Sequence, residues 1–98
     1  MVLLISDPTL GVHVMRIKTE GVSWQEIDGE LVILDLNRSV YLTTNAAGAE
    51  LAKLLLKECT AEELANALVA KYEIPREQAS ADVQAFVAEL ADKKLLVG

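Results

Sequence analysis

The feature that most limits the fold is a change of hydrophobic period at Asn45. Before it the apolar residues come in short β-like runs, and after it they recur at helical spacing. Val22–Ile27 reads as a strand with Trp24 its one large aromatic. Asp28-Gly29 follows, and Leu31–Leu36 resumes the apolar pattern. An Asp-Gly pair between apolar runs predicts a tight hairpin, because a type I′ turn needs positive φ at both central residues. The near-continuous apolarity of Leu31–Leu36 predicts a strand covered on both faces. Asn37-Arg38-Ser39 is turn chemistry, and Val40–Thr44 is then the third and last strand of a meander. A weakly amphipathic strand is expected upstream, from Val12 to Lys18, ended by Gly21.

The helical half opens on Asn45 as an N-cap, with Ala47, Leu51, Leu54 and Leu55 on one face. Thr60-Ala61-Glu62-Glu63 is a capping box. It starts a helix whose stripe is Leu64, Ala67, Leu68 and Tyr72. A third helix begins near Pro75 and carries Ala79, Val83, Phe86, Val87 and Leu90 on its apolar face. Leu95-Leu96-Val97 is left as a terminal strand or a packed tail. The expected fold is α+β: a three-stranded antiparallel β-meander followed by three helices, with a winged helix-turn-helix outline.

Composition and charge exclude several functions. The chain has 98 residues, a size that argues against a deep catalytic cleft. Its apolar runs are far short of the roughly 20 residues a membrane span needs. Net charge is −6, from 9 basic and 15 acidic side chains. In a winged helix the third helix would read DNA. Here, from Pro75 to Asp92, it sets Arg76 against Glu77, Asp82, Glu89 and Asp92, and so would repel phosphate. The one cysteine, Cys59, cannot form an internal disulfide, and the N-terminus lacks the basic region of a signal peptide. A cytoplasmic protein is expected. His13 and Cys59 stand more than forty residues apart with no third orienting group, and the glycines form no phosphate-cradling cluster. No metal-ligand spacing is present. The expectation is a protein that is not an enzyme and has no cofactor.

A binding function remains, carried by backbone and apolar surface. Val40–Thr44 ends the meander and holds no Lys, Asp, Glu or Pro, the usual guards of a free sheet edge. Such an edge beside a helix can accept an extended peptide as an added strand. Ala81, Ala85 and Ala88 on the third helix allow close approach. The N-terminal segment is the alternative cover for that edge.

Asp28-Gly-Glu-Leu-Val-Ile-Leu-Asp-Leu36, Tyr41-Leu42 and Asn45-Ala-Ala-Gly-Ala49, followed by Thr60-Ala-Glu-Glu-Leu64, Tyr72 and Ala81–Leu90, resemble in order and spacing the pattern of PqqD-like proteins. The resemblance spans Val22 to Val97. It implies one domain over residues 1–98, with 1–11 as an N-terminal extension. It also implies a RiPP recognition element, which binds the leader of a ribosomally made precursor peptide. In that family the leader pairs antiparallel with the third strand and lies in the groove beside the third helix. The chain looks most like the stand-alone leader-binding proteins of lasso-peptide pathways, whose partner is a leader-cleaving cysteine protease. The alternative is a PqqD-type chaperone that delivers a precursor to a radical enzyme. Thr44 and Ala52 depart from the family's larger residues at those places.

The two lines together assign the peptide site. The backbone of Val40, Tyr41, Leu42 and Thr43 pairs with the leader. Leu34, Val40, Leu42, Val83 and Phe86 supply apolar contacts, Ala85 allows close approach, and Asp82 and Glu89 accept hydrogen bonds. On this reading Val83→Glu abolishes leader binding without changing the circular dichroism.

Overall fold

The structure is a computed structural model and describes residues 14–97. The expectations placed on residues 1–11 and on His13 lie outside that range. Nine elements follow one another: β1 (Val14–Ile17), β2 (Val22–Ile27), β3 (Glu30–Asp35), β4 (Val40–Thr44), α1 (Ala46–Leu54), β5 (Cys59–Thr60), α2 (Ala61–Tyr72), α3 (Arg76–Asp92) and β6 (Leu96–Val97). The expected meander and three helices are all present. No helix among the described residues is long and apolar enough to cross a membrane.

The meander is set by its turns. Asp28 and Gly29 have φ values of 53° and 82°, the positive pair that the Asp-Gly hairpin requires. This places Trp24 opposite Ile33 and Ile27 opposite Glu30. Across the next turn Ile33 faces Leu42, and Leu34 faces Tyr41. Because side chains alternate along a strand, Leu31, Ile33, Leu42 and Thr44 share the buried face, while Val32, Leu34, Tyr41 and Thr43 share the outer one. β3 is therefore covered fully on one face only. Its outer residues Val32 and Leu34 are half-buried, which corrects the two-sided burial expected from its composition.

The helices follow their caps. Asn45 Oδ1 accepts from the Gly48 amide at 2.8 Å and starts α1. Thr60 and Glu63 form both arms of the capping box, at 3.1 Å and 2.8 Å. Glu73 ends α2 in the left-handed conformation, with φ 54°. α3 buries Ala79, Val83, Phe86 and Leu90, as its spacing predicts. α2 buries Leu64, Ala65 and Leu68, whereas Tyr72 is exposed. The inward stripe of α2 thus runs through Ala65 rather than out to Tyr72.

A second sheet, of order β5-β1-β6, joins the two halves. β1 pairs antiparallel with β5 at Met15–Cys59 and with β6 at Ile17–Leu96. The Ile17 amide donates to the Leu55 carbonyl at 2.9 Å, and the Lys18 amide to that of Leu95 at 2.7 Å. Met15, Ile17 and Leu95 join the core beneath this sheet. Of Leu95-Leu96-Val97, the last two form a short strand and Leu95 before them is buried.

Asp35, at the end of β3, is fully buried and fixes the turn into β4. Its Oδ1 accepts from the amides of Asn37 and Arg38 at 3.0 and 3.3 Å, and its Oδ2 accepts from Lys18 Nζ at 3.0 Å. The Lys18 ammonium bond, together with these two amides, holds the Asp35 carboxyl below its ordinary pKa, against the opposing effect of burial. A lowered folded pKa means that the unfolded chain binds the proton more readily. The contribution of Asp35 to stability is therefore complete above the ordinary carboxylate range. It is lost as pH falls from about 4 through the folded value. Urea midpoints measured against pH should fall over this interval in the wild type. In Asp35→Asn the midpoint should be lower at pH 7 and change less on acidification. Parallel profiles for the two proteins would remove this linkage.

Candidate peptide groove

β4 lies at one end of the β2-β3-β4 order and is paired only with β3. Among the described residues, no backbone hydrogen bond joins Val40–Thr43 to anything beyond β3. An edge strand directs alternate N–H and C=O groups away from its sheet. Here the space beyond the edge is bordered by α3.

Two hollows occupy that space. One, of about 310 Å³, lies between the end of β4, the first turns of α1 and the middle of α3. Its walls include Thr43, Thr44, Gly48, Asp82, Ala85 and Phe86. The other, of about 400 Å³, runs along Val40–Thr43 toward Lys93. Thr43 and Glu89 border both, so the two form one trough along β4. Five strand residues span about 17 Å, enough for a short extended peptide. Its α3 wall is built from Asp82, Ala85, Phe86 and Glu89, whose spacing of three, four and seven from Asp82 keeps them on one side of the helix, with Lys93 just beyond the helix end.

The sequence-assigned residues separate on this geometry. Val40, Tyr41, Leu42, Thr43, Asp82, Ala85, Phe86 and Glu89 all border the trough. Leu34 does not. It sits opposite Tyr41 on the outer face of the sheet, because strand parity gives the inner face to Ile33. Val83 does not border the trough either. It is 1% exposed, within the core, and touches a separate small hollow lined by Ala65 and Arg76. One helical residue subtends about 100°, so Phe86 lies at the groove-side edge of the buried stripe and Val83 at its opposite edge. Leu42 is also 2% exposed, so it forms floor rather than wall.

The sequence reading missed the α1 side of the trough: Thr44, Asn45, Ala47, Gly48 and Leu51. The run Ala46-Ala47-Gly48-Ala49 was the available signal, since small residues permit close packing. A Cβ at Gly48 would lie 2.9 Å from Thr44 Cβ and 3.4 Å from the Phe86 ring. Glycine is required there by space rather than by φ. Cys59 lies elsewhere: its Sγ donates to the Leu54 carbonyl at 3.2 Å, and burial, with Glu63 nearby, pushes its thiol pKa up. Such a thiol is a poor nucleophile. Among the described residues, no three His, Cys, Asp or Glu side chains are grouped to hold a metal ion.

The PqqD family (coenzyme PQQ synthesis protein D) matches residues 30–96. That is more than half of the chain, and the chain belongs to the PqqD family. Among solved structures it is similar to TbiB1 in complex with the TbiA(beta) leader peptide. The identity is 32%, the TM-score 0.74, and the match covers 85% of this chain and 95% of that one. It is also similar to a lasso peptide synthetase B1 complexed with the leader peptide. There the identity is 25%, the TM-score 0.72, and the coverage 86% and 98%. No curated protein matches the chain.

Two substitutions on α3 test the separation of core from groove. Val83→Glu places a carboxylate in the core without a partner and should abolish the cooperative thermal transition. Ala85→Glu, on an exposed site, should shift that transition by no more than a few degrees. Gly48→Ala gains helix propensity but meets Thr44, and should lower stability by about 1–3 kcal/mol in urea titrations.

Proposed function

We propose that this protein binds the leader region of a precursor peptide in lasso-peptide maturation. The leader adds as an antiparallel strand to β4. The observation that carries the reading is the unpaired edge of β4 facing α3 across an open trough. Backbone hydrogen bonds to Val40–Thr43 would supply affinity, and the trough would receive alternate side chains of the added strand. Two solved relatives, alike in fold over most of the chain, hold leader peptides.

The role is one of binding rather than catalysis. The chain holds the leader so that a leader-cleaving cysteine protease receives the attached core peptide. The lasso-pathway identity of the lasso synthetase relative favours this partner over a radical enzyme. Nucleic acid does not suit the groove, because its α3 wall carries Asp82 and Glu89 against Lys93.

Fluorescence polarisation of a labelled leader, taken from a precursor gene beside that of this chain, tests the reading. The expected Kd is micromolar to nanomolar, about −8 to −12 kcal/mol, after the cost of ordering a disordered peptide. Ala85→Glu should weaken binding by about tenfold or more, about 1.4 kcal/mol, with unchanged circular dichroism. N-methylation of alternate leader amides should weaken binding in one register and spare it in the other, as a single paired edge requires. Equal affinities throughout both series would sink the proposal.

A further inference from the structure

The hollow that runs along Val40–Thr43 ends on a cation that the protein itself leaves unpaired. Lys93 directly follows α3, borders this hollow together with Ser39 and Val40, and is half-buried. Glu89 stands four residues earlier, the spacing and order at which Glu and Lys pair best on a helix. Among the described residues, however, no carboxylate forms an ion pair with Lys93. Asp35, which anchors the neighbouring turn, is already taken by Lys18. The other cations are distributed to the same effect. Of the nine basic side chains, Lys18, Lys53, Lys71 and Arg76 are in ion pairs among the described residues. Three of the remaining five fall together: Arg38 directly before Ser39, Lys93, and Lys94 directly after it. In a chain of net charge −6, unanswered positive charge thus gathers where the trough opens beside the turn into β4.

Strand addition sets what would meet Lys93. Side chains of an added strand alternate between the trough and the outer face of the sheet. Val40 lies on the inner face, opposite Asp35, so an inward side chain level with Val40 enters the hollow that Lys93 borders. Apolar surface is scarce there: Leu42 is floor, Tyr41 faces outward, and Ser39, Thr43 and Glu89 are polar. A basic side chain would be repelled by Lys93 and by Arg38 in the adjoining turn. A neutral one would leave the ammonium to lose water beneath the added strand without a partner. A carboxylate answers it with a charge-assisted hydrogen bond. Glu89 lies about 6 Å back along the helix, at 1.5 Å of rise per residue, toward the middle of the trough. The helix-side wall therefore changes sign along its length, with Asp82 and Glu89 first and Lys93 last.

We propose that Lys93 is a specificity-determining residue for the leader. It receives an acidic side chain, aspartate or glutamate, near the downstream end of the paired segment, and Arg38 and Lys94 reinforce the local field. The inference rests on the leader-binding reading for the peptide that brings the carboxylate. It adds the charge and the place of one contact.

The test is a charge scan of the peptide against a charge reversal of the protein. A leader from the precursor gene beside that of this chain is prepared with Glu, Gln or Lys at each position in turn. Each peptide is titrated into the full chain by fluorescence polarisation. At a position in the downstream half of the bound segment, Glu should bind about threefold or more tightly than Gln, and Lys more weakly than both. The preference should shrink at high salt. Lys93→Gln should level the three peptides, and it reads the same contact should Lys93→Glu fail to fold. Lys93→Glu should invert the order, so that the Lys peptide regains the affinity it lost. Lys57→Glu makes the same change of net charge at an exposed site outside the walls of the trough, and should keep the wild-type order. An order unchanged by both Lys93 variants, a Glu preference confined to the upstream half, or no charge preference at any position would each overturn the proposal while leaving leader binding intact. A leader that fails to bind the wild-type chain would remove strand addition and this contact together.

Discussion

The carboxylate of Asp35 is the interaction on which the rest of this structure depends. It lies where three parts of the chain meet: the end of β3, the turn into β4, and Lys18 just beyond β1. By accepting two amides of the turn it determines where β4 begins. By accepting Lys18 it ties the meander to the small sheet that carries both the start of the described chain and its last strand. A buried charge is tolerated only when its lone pairs are answered. The geometry that answers these also fixes the register of the edge strand, Asp35 opposite Val40 and Ile33 opposite Leu42.

That register divides the functions of neighbouring residues. Along β4 the inner side chains Leu42 and Thr44 belong to the core, while Tyr41 and Thr43 face out. The backbone between them supplies the open edge. α3 divides in the same way: Val83 and Leu90 hold the helix to the core, while Asp82, Ala85 and Glu89 face the trough. The trough thus runs along the margin of the core, with Leu42, Thr44 and Phe86 bordering both. Gly48 lets α1 close the upper end by bringing it against Thr44 and Phe86.

Much of this was legible in the sequence where local chemistry decides it. The Asp28-Gly29 turn, the Asn45 cap, the Thr60–Glu63 box and the buried stripe of α3 each follow from a few adjacent residues. The second sheet was not legible, because β5 and β6 are two residues long and exist only as partners of β1. Eight of the ten residues assigned from the sequence border the trough, because β4 is an edge. Leu34 and Val83 were misplaced because apolar character does not reveal which side of a strand or helix faces a groove. Thr44 was marked only as a departure from the family's larger residue and Gly48 only as part of a helix start, because the close approach between them is a tertiary contact.

An antiparallel added strand also has a direction. β4 runs from Val40, beside the Asp35 turn, to Thr44, beside α1. A ligand paired against it would run the opposite way, entering at the α1 end and leaving past Ser39 and Lys93. The polypeptide downstream of the bound segment would then emerge next to the turn that Asp35 holds rigid. Its point of departure would be fixed relative to the body of the protein, so an enzyme docked near that corner would meet the substrate always from the same side.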